Sequence, residues 1–382
     1  MRHFHSNITP AVIHREARQA LQTSLDWKPY HDSVSVVDLL DLLLRMAAST
    51  ASLFATVRRF FGFSHETGRR AVQANLPTME RLVRGLAQTL HDVAQFSRQD
   101  RRRRWNCAID LHDVAYYGRR NAYVVGGPKK QGTQWFFRYA TAVLLHKHRR
   151  YTIALCPVQS KAKPHEIVQT LLDQIAAQGL KIRGVTLDSG FDSGDTLLLL
   201  QDRGLAYAVP LRRKGNARNA RNRCFEGRHG LIRWVEWVTE KTRRLVRTRT
   251  LLWKGRSKTM LFAFQGWSGQ RARNLHQHAL RQRRLYRQRF GIETSYRQKN
   301  QAQACTTSQD PVYRLLLEGI GYVLRQLWVV LTEEIARRTH AGPGDWIAAL
   351  TMRKMLEWLV HELNALHPEA FSIPIGEIGS VQ

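Results

Sequence analysis

The segment Tyr286–Asn300 reads YRQRFGIETSYRQKN and holds a single carboxylate among arginines, tyrosines and a lysine. On a helix that turns about 100° per residue, steps of three and four place several of its side chains on one face. These side chains are Tyr286, Arg289, Glu293, Arg297 and Asn300. A carboxylate flanked by cations suits a metal-dependent enzyme that acts on a phosphate backbone. A solvated helix with intrahelical ion pairs has the same pattern, so other parts of the chain must distinguish the two.

Two aspartates could join Glu293 in one site. Asp110 follows the apolar run Trp105–Ile109 and Asp188 follows Ile182–Leu187, so each is expected to end a β-strand. Cleavage of a phosphodiester can use two divalent ions about 3.5–4 Å apart, and Mg²⁺ prefers oxygen ligands. We therefore predict that Asp110, Asp188 and Glu293 are the catalytic and metal-binding residues.

Other aspartates compete for these roles. Asp113 lies three residues after Asp110, and residues three apart on a strand point to opposite faces. Asp110 directly follows the apolar run and is the preferred candidate. Asp192 and Asp195 follow Asp188 in a turn, where helix capping would also explain them.

The elements that must position these acids form a predicted α/β domain. Three strands in succession are followed by a helix, a fourth strand, a second helix and a fifth strand. In chain order the segments are Trp105–Ile109, Trp135–Leu145, Tyr151–Val158, Pro164–Gln178, Ile182–Leu187, Ser193–Gln201 and Ala206–Leu211. Residues 105–211 thus form the first part of a catalytic domain, which residues 267–310 complete with the helix that carries Glu293.

Residues 212–266 are predicted to be a basic, β-rich insertion. They begin with the coil RRKGNARNARNR, in which we predict that Arg212, Arg213 and Lys214 bind DNA. Three antiparallel strands follow, with one packed and one cationic face; they are Leu231–Val238, Arg243–Trp253 and Lys258–Phe264. Tryptophans here could stack on an unpaired base or fill the core of the sheet. The four tryptophans are Trp234, Trp237, Trp253 and Trp267, and Trp237 is the predicted DNA-binding one.

Helical segments flank this region. Residues 1–104 are predicted to be an N-terminal DNA-binding domain in which Ser64–Thr89 could form a helix-turn-helix. A small helical cap that packs on the next domain would have the same sequence pattern. Arg98–Arg104 is either a solvated linker or a phosphate contact. Residues 311–382 are predicted to form a C-terminal helical region with helices over Val312–Thr339 and Asp345–Leu366.

The net charge indicates the partner. The chain of 382 residues has 60 Lys+Arg against 30 Asp+Glu, a formal charge of +30 at pH 7. Such an excess favours nucleic acid as partner, with an anionic membrane surface as the weaker alternative. The most apolar windows, Val36–Val57 and Leu315–Val330, contain charged residues, so we expect buried helices and no membrane association.

The cysteines indicate neither a disulfide framework nor a zinc site. They are far apart and form no CxxC pair; their positions are 107, 156, 224 and 305. Reduced thiols and a cytoplasmic, nucleoid-associated location are the expectation.

Three sequence blocks carry a resemblance to a known family. They are AIDLHDVAYYG around Asp110, GVTLDSGFDSGD around Asp188 and YRQRFGIETSYRQKN around Glu293. Together they resemble the DDE transposases of bacterial and archaeal insertion sequences. The third block is similar to the YREK signature of one branch, in which Tyr, two residues, Arg, three residues, Glu, six residues and Lys follow each other. The resemblance covers about Asn106–Thr307.

The resemblance implies an RNase H-like catalytic domain with a β insertion, two Mg²⁺ ions per site with Mn²⁺ as substitute, and a homodimer in a synaptic complex. It places the metal-binding acids on Asp110, Asp188 and Glu293, and the signature Tyr and Arg on Tyr286 and Arg289. Where the signature has Lys, this chain has Asn300, with Lys299 one place earlier. We predict that Tyr286 and Arg289 bind DNA at the terminal phosphate. We include Arg297, as a substitute, and Lys299 among the predicted DNA-binding residues.

The sequence therefore predicts a transposase that cleaves double-stranded DNA at the ends of its element and joins the freed 3′-hydroxyl to a target. A structure-specific nuclease and a catalytically silent, transposase-derived DNA-binding regulator are the alternatives.

Overall fold

The structure is a computed structural model that describes residues 7–146, 149–216, 218–239, 242–256, 258–265, 275–340, 342 and 347–369. Two compact units divide the chain. The helical unit joins Met1–Gln95 to Arg297–Gln382, and the sheet unit is Phe96–Tyr296. Most of the predicted N-terminal domain thus belongs to one unit with the predicted C-terminal region.

The helices are numbered in chain order within the described residues. They are α1 (Pro10–Ser24), α2 (Val36–Ala48), α3 (Leu53–Phe60), α4 (His65–Ala74), α5 (Met79–Ala94), α6 (Arg98–Arg102), α7 (Pro164–Ala177), α8 (Gly194–Asp202), α9 (Ala220–Arg223), α10 (Leu275–Gln288), α11 (Gly291–Lys299), α12 (Pro311–Thr339) and α13 (Met352–Leu366). Many begin at a Ser, Thr or Asp whose side chain accepts a backbone N–H of the first turn. Ser35, for example, accepts from the N–H of Asp38 at 3.1 Å.

The helical unit is organised around α12, which is buried over most of its length. A Cβ on Gly319 would lie 2.5 Å from the side chain of Leu86, so this glycine lets α12 approach α5 closely. The segment Ser64–Thr89, in which we predicted a helix-turn-helix, contains α4 and most of α5. Four residues, 75–78, join the two helices. Its role in DNA binding stays a prediction.

Among the described residues, α12 is the helix that is long and apolar enough to cross a membrane by length and composition. Its most apolar window of 18 residues is entirely buried inside the protein, as in a core helix.

The strands of the sheet unit form one mixed sheet. They are β1 (Arg104–Ala115), β2 (Val124–Lys130), β3 (Thr133–His146), β4 (Arg149–Pro157), β5 (Lys181–Leu187), β6 (Ala206–Leu211), β7 (Ile232–Val238), β8 (Leu245–Lys254) and β9 (Thr259–Gln265). The order is β2-β3-β1-β5-β6-β9-β8-β7, with β4 paired to β3. Strands β1, β3 and β4 pair antiparallel, whereas β5 is parallel to β1 and β6 is parallel to β5.

The predicted RNase H-like α/β fold is confirmed. Helices connect successive central strands along the chain: α7 connects β4 to β5, and α8 connects β5 to β6. The structure also corrects three details. Four strands precede α7, because β2 was not predicted. Strand β1 continues through Ala115 and does not end before Asp110. The strands of the insertion extend the central sheet, because β9 pairs antiparallel with β6.

In the described part of the C-terminal region, residues 347–349 are helical and residues 350–351 are not. α13 begins at Met352, so the predicted helix Asp345–Leu366 is interrupted before α13. Asp345 and Trp267 lie outside the described residues. So does Gln270, at which the sequence predicts the start of a long helix leading into Tyr286–Asn300.

Candidate active site

Strand register brings Asp110 and Asp188 together. Ile109 pairs with Leu187 across the parallel strands β1 and β5, so the two aspartates occupy the next positions of neighbouring strands. Asp110 is 6% exposed, and its Oδ1 accepts the N–H of Leu111 at 3.0 Å. The two aspartates therefore lie on adjacent elements, as predicted, although β1 continues past Asp110.

Asp113 serves a different purpose. Its carboxylate forms an ion pair with Arg138, with Oδ1 2.6 Å from Nε. Because β1 includes both aspartates, the alternation of side chains places Asp113 on the face opposite Asp110. The prediction that only one of them faces the site agrees with this arrangement.

Asp188 is positioned by a tight turn. It directly precedes a 3₁₀ turn over Ser189–Phe191, and its side chain accepts the N–H of Gly190. Ser193 is the residue that caps α8, where its Oγ accepts the N–H of Thr196 at 3.1 Å. Asp192 was expected to act as a cap; its carboxylate instead accepts from Arg221 and from the N–H of Arg212.

Gly190 limits the space around the carboxylate of Asp188. A Cβ at this position would lie 2.8 Å from Oδ1 of Asp188. We expect Gly190→Ala to rotate the carboxylate and to lower DNA cleavage about tenfold to a hundredfold, since small misplacements of reacting groups have effects of this size. Gly190 is exposed, so the free energy of unfolding should change by less than about 1 kcal/mol.

Cleavage of labelled duplex DNA and thermal melting check this pair of expectations. The control is Gly62→Ala, because a Cβ there would meet no atom within 4 Å. Equal cleavage rates for Gly190→Ala and the control would contradict the assigned role of the turn.

Glu293 lies after a break in the helix. The sequence suggested one long helix through this segment, but α10 ends at Gln288 and α11 begins at Gly291. Between them, the N–H of Ile292 bonds to the carbonyl of Arg289 at 2.7 Å. Glu293 is exposed, whereas Tyr286 and Arg289 are buried, so the predicted single helical face is wrong.

Arg289 forms an ion pair with Asp110, with Nη1 2.7 Å from Oδ2 and both side chains less than 10% exposed. Burial opposes the charge of Arg289, but the Asp110 carboxylate and Tyr286 together raise the pKa of Arg289 above its ordinary value. Tyr286 packs among the core side chains of the insertion, with its ring 5.0 Å from that of Phe262. Burial raises the pKa of the Tyr286 phenol. The two signature residues thus hold Asp110 in place within the sheet unit.

The pKa of the Asp110 carboxyl is raised to about 6, mainly by burial. Within this net shift, the charges of Asp188 and Glu293 add to the rise, whereas Arg289 and the N–H of Leu111 oppose it. The influence of Asp188 and Glu293 indicates that the three acids share one electrostatic environment.

This raised pKa predicts a pH dependence of stability. The folded protein keeps the proton of Asp110 up to about pH 6, whereas the unfolded chain loses it near pH 3.8. The ionised form therefore costs stability, by at most about 3 kcal/mol, as pH rises through this window. We expect the melting temperature of Asp110→Asn, relative to wild type, to increase from pH 4 to pH 7. Melting curves of both proteins across this range measure the difference in melting temperature. A difference that does not change with pH would contradict the raised pKa of Asp110.

The three carboxylates fit divalent ions of the Mg²⁺ type in their chemistry, because all their donor atoms are oxygens. Burial is the main cause of the raised pKa of Asp110, and the repulsion from Asp188 and Glu293 that adds to it also favours a bound cation. Within the part of the chain that the structure describes, however, no three His, Cys, Asp or Glu side chains lie close enough together to hold a metal ion. The acids are thus a candidate ligand set in which Asp110 is paired with Arg289.

The structure also places the predicted DNA-binding residues. Arg212, Arg213 and Lys214 are exposed at the end of β6. Arg297 is exposed on α11. Their contacts with DNA stay predictions.

Lys299 is the exception, because its side chain is completely buried and its Nζ lies 2.6 Å from Oε1 of Glu318. Burial lowers the pKa of Lys299, and Glu318 opposes this. In this arrangement the amine is not presented to DNA, which corrects the prediction for Lys299.

The tryptophans of the insertion differ in exposure. Trp237 is half-buried, with the guanidinium of Arg221 5.5 Å from its ring. Trp234 is 53% exposed, and the guanidinium carbons of Arg247 and Arg249 lie 4.9 and 4.7 Å from the centroid of its ring. Stacking on a base stays a prediction for Trp237, and Trp234 has the more accessible ring.

Sequence reasoning missed the contacts of Asp192 with Arg221. Arg221 is one of five arginines in the coil of residues 212–223, so nothing in the sequence distinguishes it. Asp192 stood out only as a competitor of Asp188.

Comparisons with known proteins extend these observations. The sequence model of the family described as transposase DDE domain matches residues 102–303. A cryo-EM structure of the piggyBac transposase synaptic complex with hairpin DNA is similar in fold, with a TM-score of 0.53 and 12% identity over 94% of this chain and 78% of that chain. No curated protein matches the chain.

The matched region contains all three candidate acids and spans more than half of the chain. This protein therefore belongs to the family of transposases with a DDE domain.

Proposed function

We propose that this protein is the transposase of an insertion sequence, in the branch with the YREK signature. It cleaves DNA at the ends of its own element and joins the freed 3′-hydroxyl to target DNA. The observation that carries the proposal is the register of β1 and β5, which places Asp110 beside Asp188, together with the influence of Glu293 on Asp110.

Asp110, Asp188 and Glu293 would hold two Mg²⁺ ions, for which Mn²⁺ can substitute. When bound, the ions activate the attacking oxygen and stabilise the leaving oxygen of an in-line displacement. Asp110 and Asp188 supply carboxylates from adjacent strands of the sheet, and the turn through Gly190 orients the second of them. Arg289, paired with Asp110, would bind the terminal phosphate while Tyr286 restrains its guanidinium.

The substrate is double-stranded DNA at the element ends and at the target. The formal charge of +30 supports a polyanionic partner, and the similar piggyBac structure is a complex with DNA. Exposed Arg212, Arg213 and Lys214 would contact phosphates, which position the DNA without reading its sequence. We further propose that two copies form a homodimer that acts on the two ends of the element. The protein would work in the cytoplasm, associated with the nucleoid and not with a membrane.

Incubation with Mg²⁺ and labelled DNA that carries the repeats flanking the coding frame tests the proposal. A target plasmid is included, so that both end cleavage and joined products can be counted. Both products are expected. Cleavage without joining would indicate a structure-specific nuclease, and binding without cleavage would indicate a DNA-binding regulator.

A further inference from the structure

We infer that Asp192 is a positioning residue that fastens the basic segment, defined as residues 212–223, to the loop that carries Asp188. Through this contact Asp192 would fix where the cations of the basic segment meet DNA relative to the reacting phosphate. The effect on DNA rests on the proposed function, whereas the fastening itself does not.

The carboxylate of Asp192 is completely buried and faces the basic segment. Its Oδ2 accepts the backbone N–H of Arg212 at 2.7 Å and a hydrogen bond from the guanidinium of Arg221. The Nζ of Lys214 lies 3.7 Å from Oδ2 and donates to the carbonyl oxygen of Asp192. Charge-assisted hydrogen bonds of this kind are stronger than neutral ones, so one carboxylate holds both ends of the segment.

The basic segment also closes on itself. Arg221 donates through Nη2 to the carbonyl of Arg212 at 2.8 Å. Buried Asn222 accepts the N–H of Lys214 at 3.1 Å and donates back to the Lys214 carbonyl at 3.0 Å. The described part of the segment is thus a folded loop, and Asp192 is the carboxylate on which its arginine and lysine converge.

The same loop reaches Asp188 through Ser189. The Nη2 of Arg212 lies 3.0 Å from Oγ of Ser189, and the N–H of Asp192 bonds to the Ser189 carbonyl at 3.4 Å. Asp188 is the preceding residue and accepts the N–H of Gly190. The position of the cations is therefore linked to the position of the candidate metal ligand by a short series of hydrogen bonds.

The charge balance explains why the segment remains available for phosphate. The carboxylate of Asp192 faces two cations, Arg221 and Lys214, and the side chains of Arg212, Arg213 and Lys214 stay exposed. Arg213 lies against the ring of Phe225, 4.7 Å from its centroid, which restrains a further cation at this surface. Cations held in fixed positions bind phosphate at a lower entropic cost than free side chains do.

Limited trypsin digestion of the folded protein tests the fastening directly, because the segment offers several cleavage sites after Arg and Lys. We expect Asp192→Asn to accelerate cleavage within residues 212–223 by about 10- to 100-fold, the effect on local opening of losing hydrogen bonds to a charged group. Arg221→Gln should do the same, and the double variant should be no faster than the faster single variant.

The control is Asp173→Asn, which removes a surface carboxylate paired with Arg203 at 2.6 Å. Sites outside the segment, mapped in the same digest, show whether a variant is unfolded as a whole. Cleavage of the segment at the wild-type rate in both single variants would overturn the inference.

DNA binding separates positioning from a purely structural role. With a labelled duplex of arbitrary sequence, the folded variants should show a plot of log affinity against log salt that is shallower by about 1 to 2, because phosphate contacts are lost. An unchanged slope together with faster digestion would overturn the role in DNA positioning. If the proposed function were wrong but the fastening correct, the wild-type protein would not cleave DNA. The trypsin digestion of the Asp192 and Arg221 variants would still be faster than that of wild type.

Discussion

Asp188→Asn is expected to lower the rate of DNA end cleavage by a factor of about a thousand or more, because the loss of a proposed metal ligand removes several kcal/mol of transition-state stabilisation. Asparagine has nearly the same shape but no charge. Asp188 lies at the end of β5, and its side chain accepts the N–H of Gly190, a bond that the amide oxygen of asparagine can also accept. Folding and DNA affinity should therefore stay close to those of wild type, which melting curves and gel-shift titrations measure.

Asp195→Asn is the matched control for this substitution. Asp195 lies in the first turn of α8, and its carboxylate accepts from the hydroxyl of Thr242 at 2.8 Å. It should cleave DNA at the wild-type rate. If Asp188→Asn retained cleavage, or lost DNA binding as well as cleavage, the catalytic assignment of Asp188 would be wrong.

Lys299→Met is expected to lower the free energy of unfolding by about 3–5 kcal/mol, since removing one partner of a buried ion pair leaves the other charge uncompensated. Lys299 is completely buried, and the side chain of Glu318 is 3% exposed. A Cβ on Gly321 would lie 3.0 Å from Cδ of Lys299, so the pair occupies a closely packed place beside α12. Chemical denaturation of the variant measures the change.

The double variant Lys299→Met/Glu318→Leu should recover most of the lost stability, because buried ion pairs are often replaced by apolar residues without loss. Lys354→Met serves as control, since its pair with Glu357 is about half exposed and should contribute less than about 1 kcal/mol. A DNA-binding role for Lys299 would give the opposite pattern, with a shallower salt dependence of DNA binding and unchanged stability.

The sequence predicted the parts of the site that depend on local patterns. Apolar runs marked the strands before Asp110 and Asp188, and the alternation of side chains separated Asp110 from Asp113. The central strands were recognised from β-rich runs, whereas β2 was not, because its residues VVGGPKK show no apolar alternation. Glycine, proline and lysine are all depleted in strands.

Features that depend on distant partners could not be predicted. From the sequence, Lys299 is expected to be a solvated cation, because its partner Glu318 on α12 is distant in the chain. Arg289 was predicted to bind phosphate, and its pairing with Asp110, 179 residues away in the chain, appears only in the folded structure. The break between α10 and α11 turns Glu293 to the surface while Tyr286 stays in the core, a difference that helical periodicity cannot show.

Counting bound Mn²⁺ by electron paramagnetic resonance, with a DNA end present, is the most direct test of whether Asp110, Asp188 and Glu293 form one metal centre. We predict two ions per protomer in wild type and fewer in Asp188→Asn and in Glu293→Gln. Wild-type protein without tightly bound Mn²⁺, or variants that bind as many ions as wild type, would contradict the account.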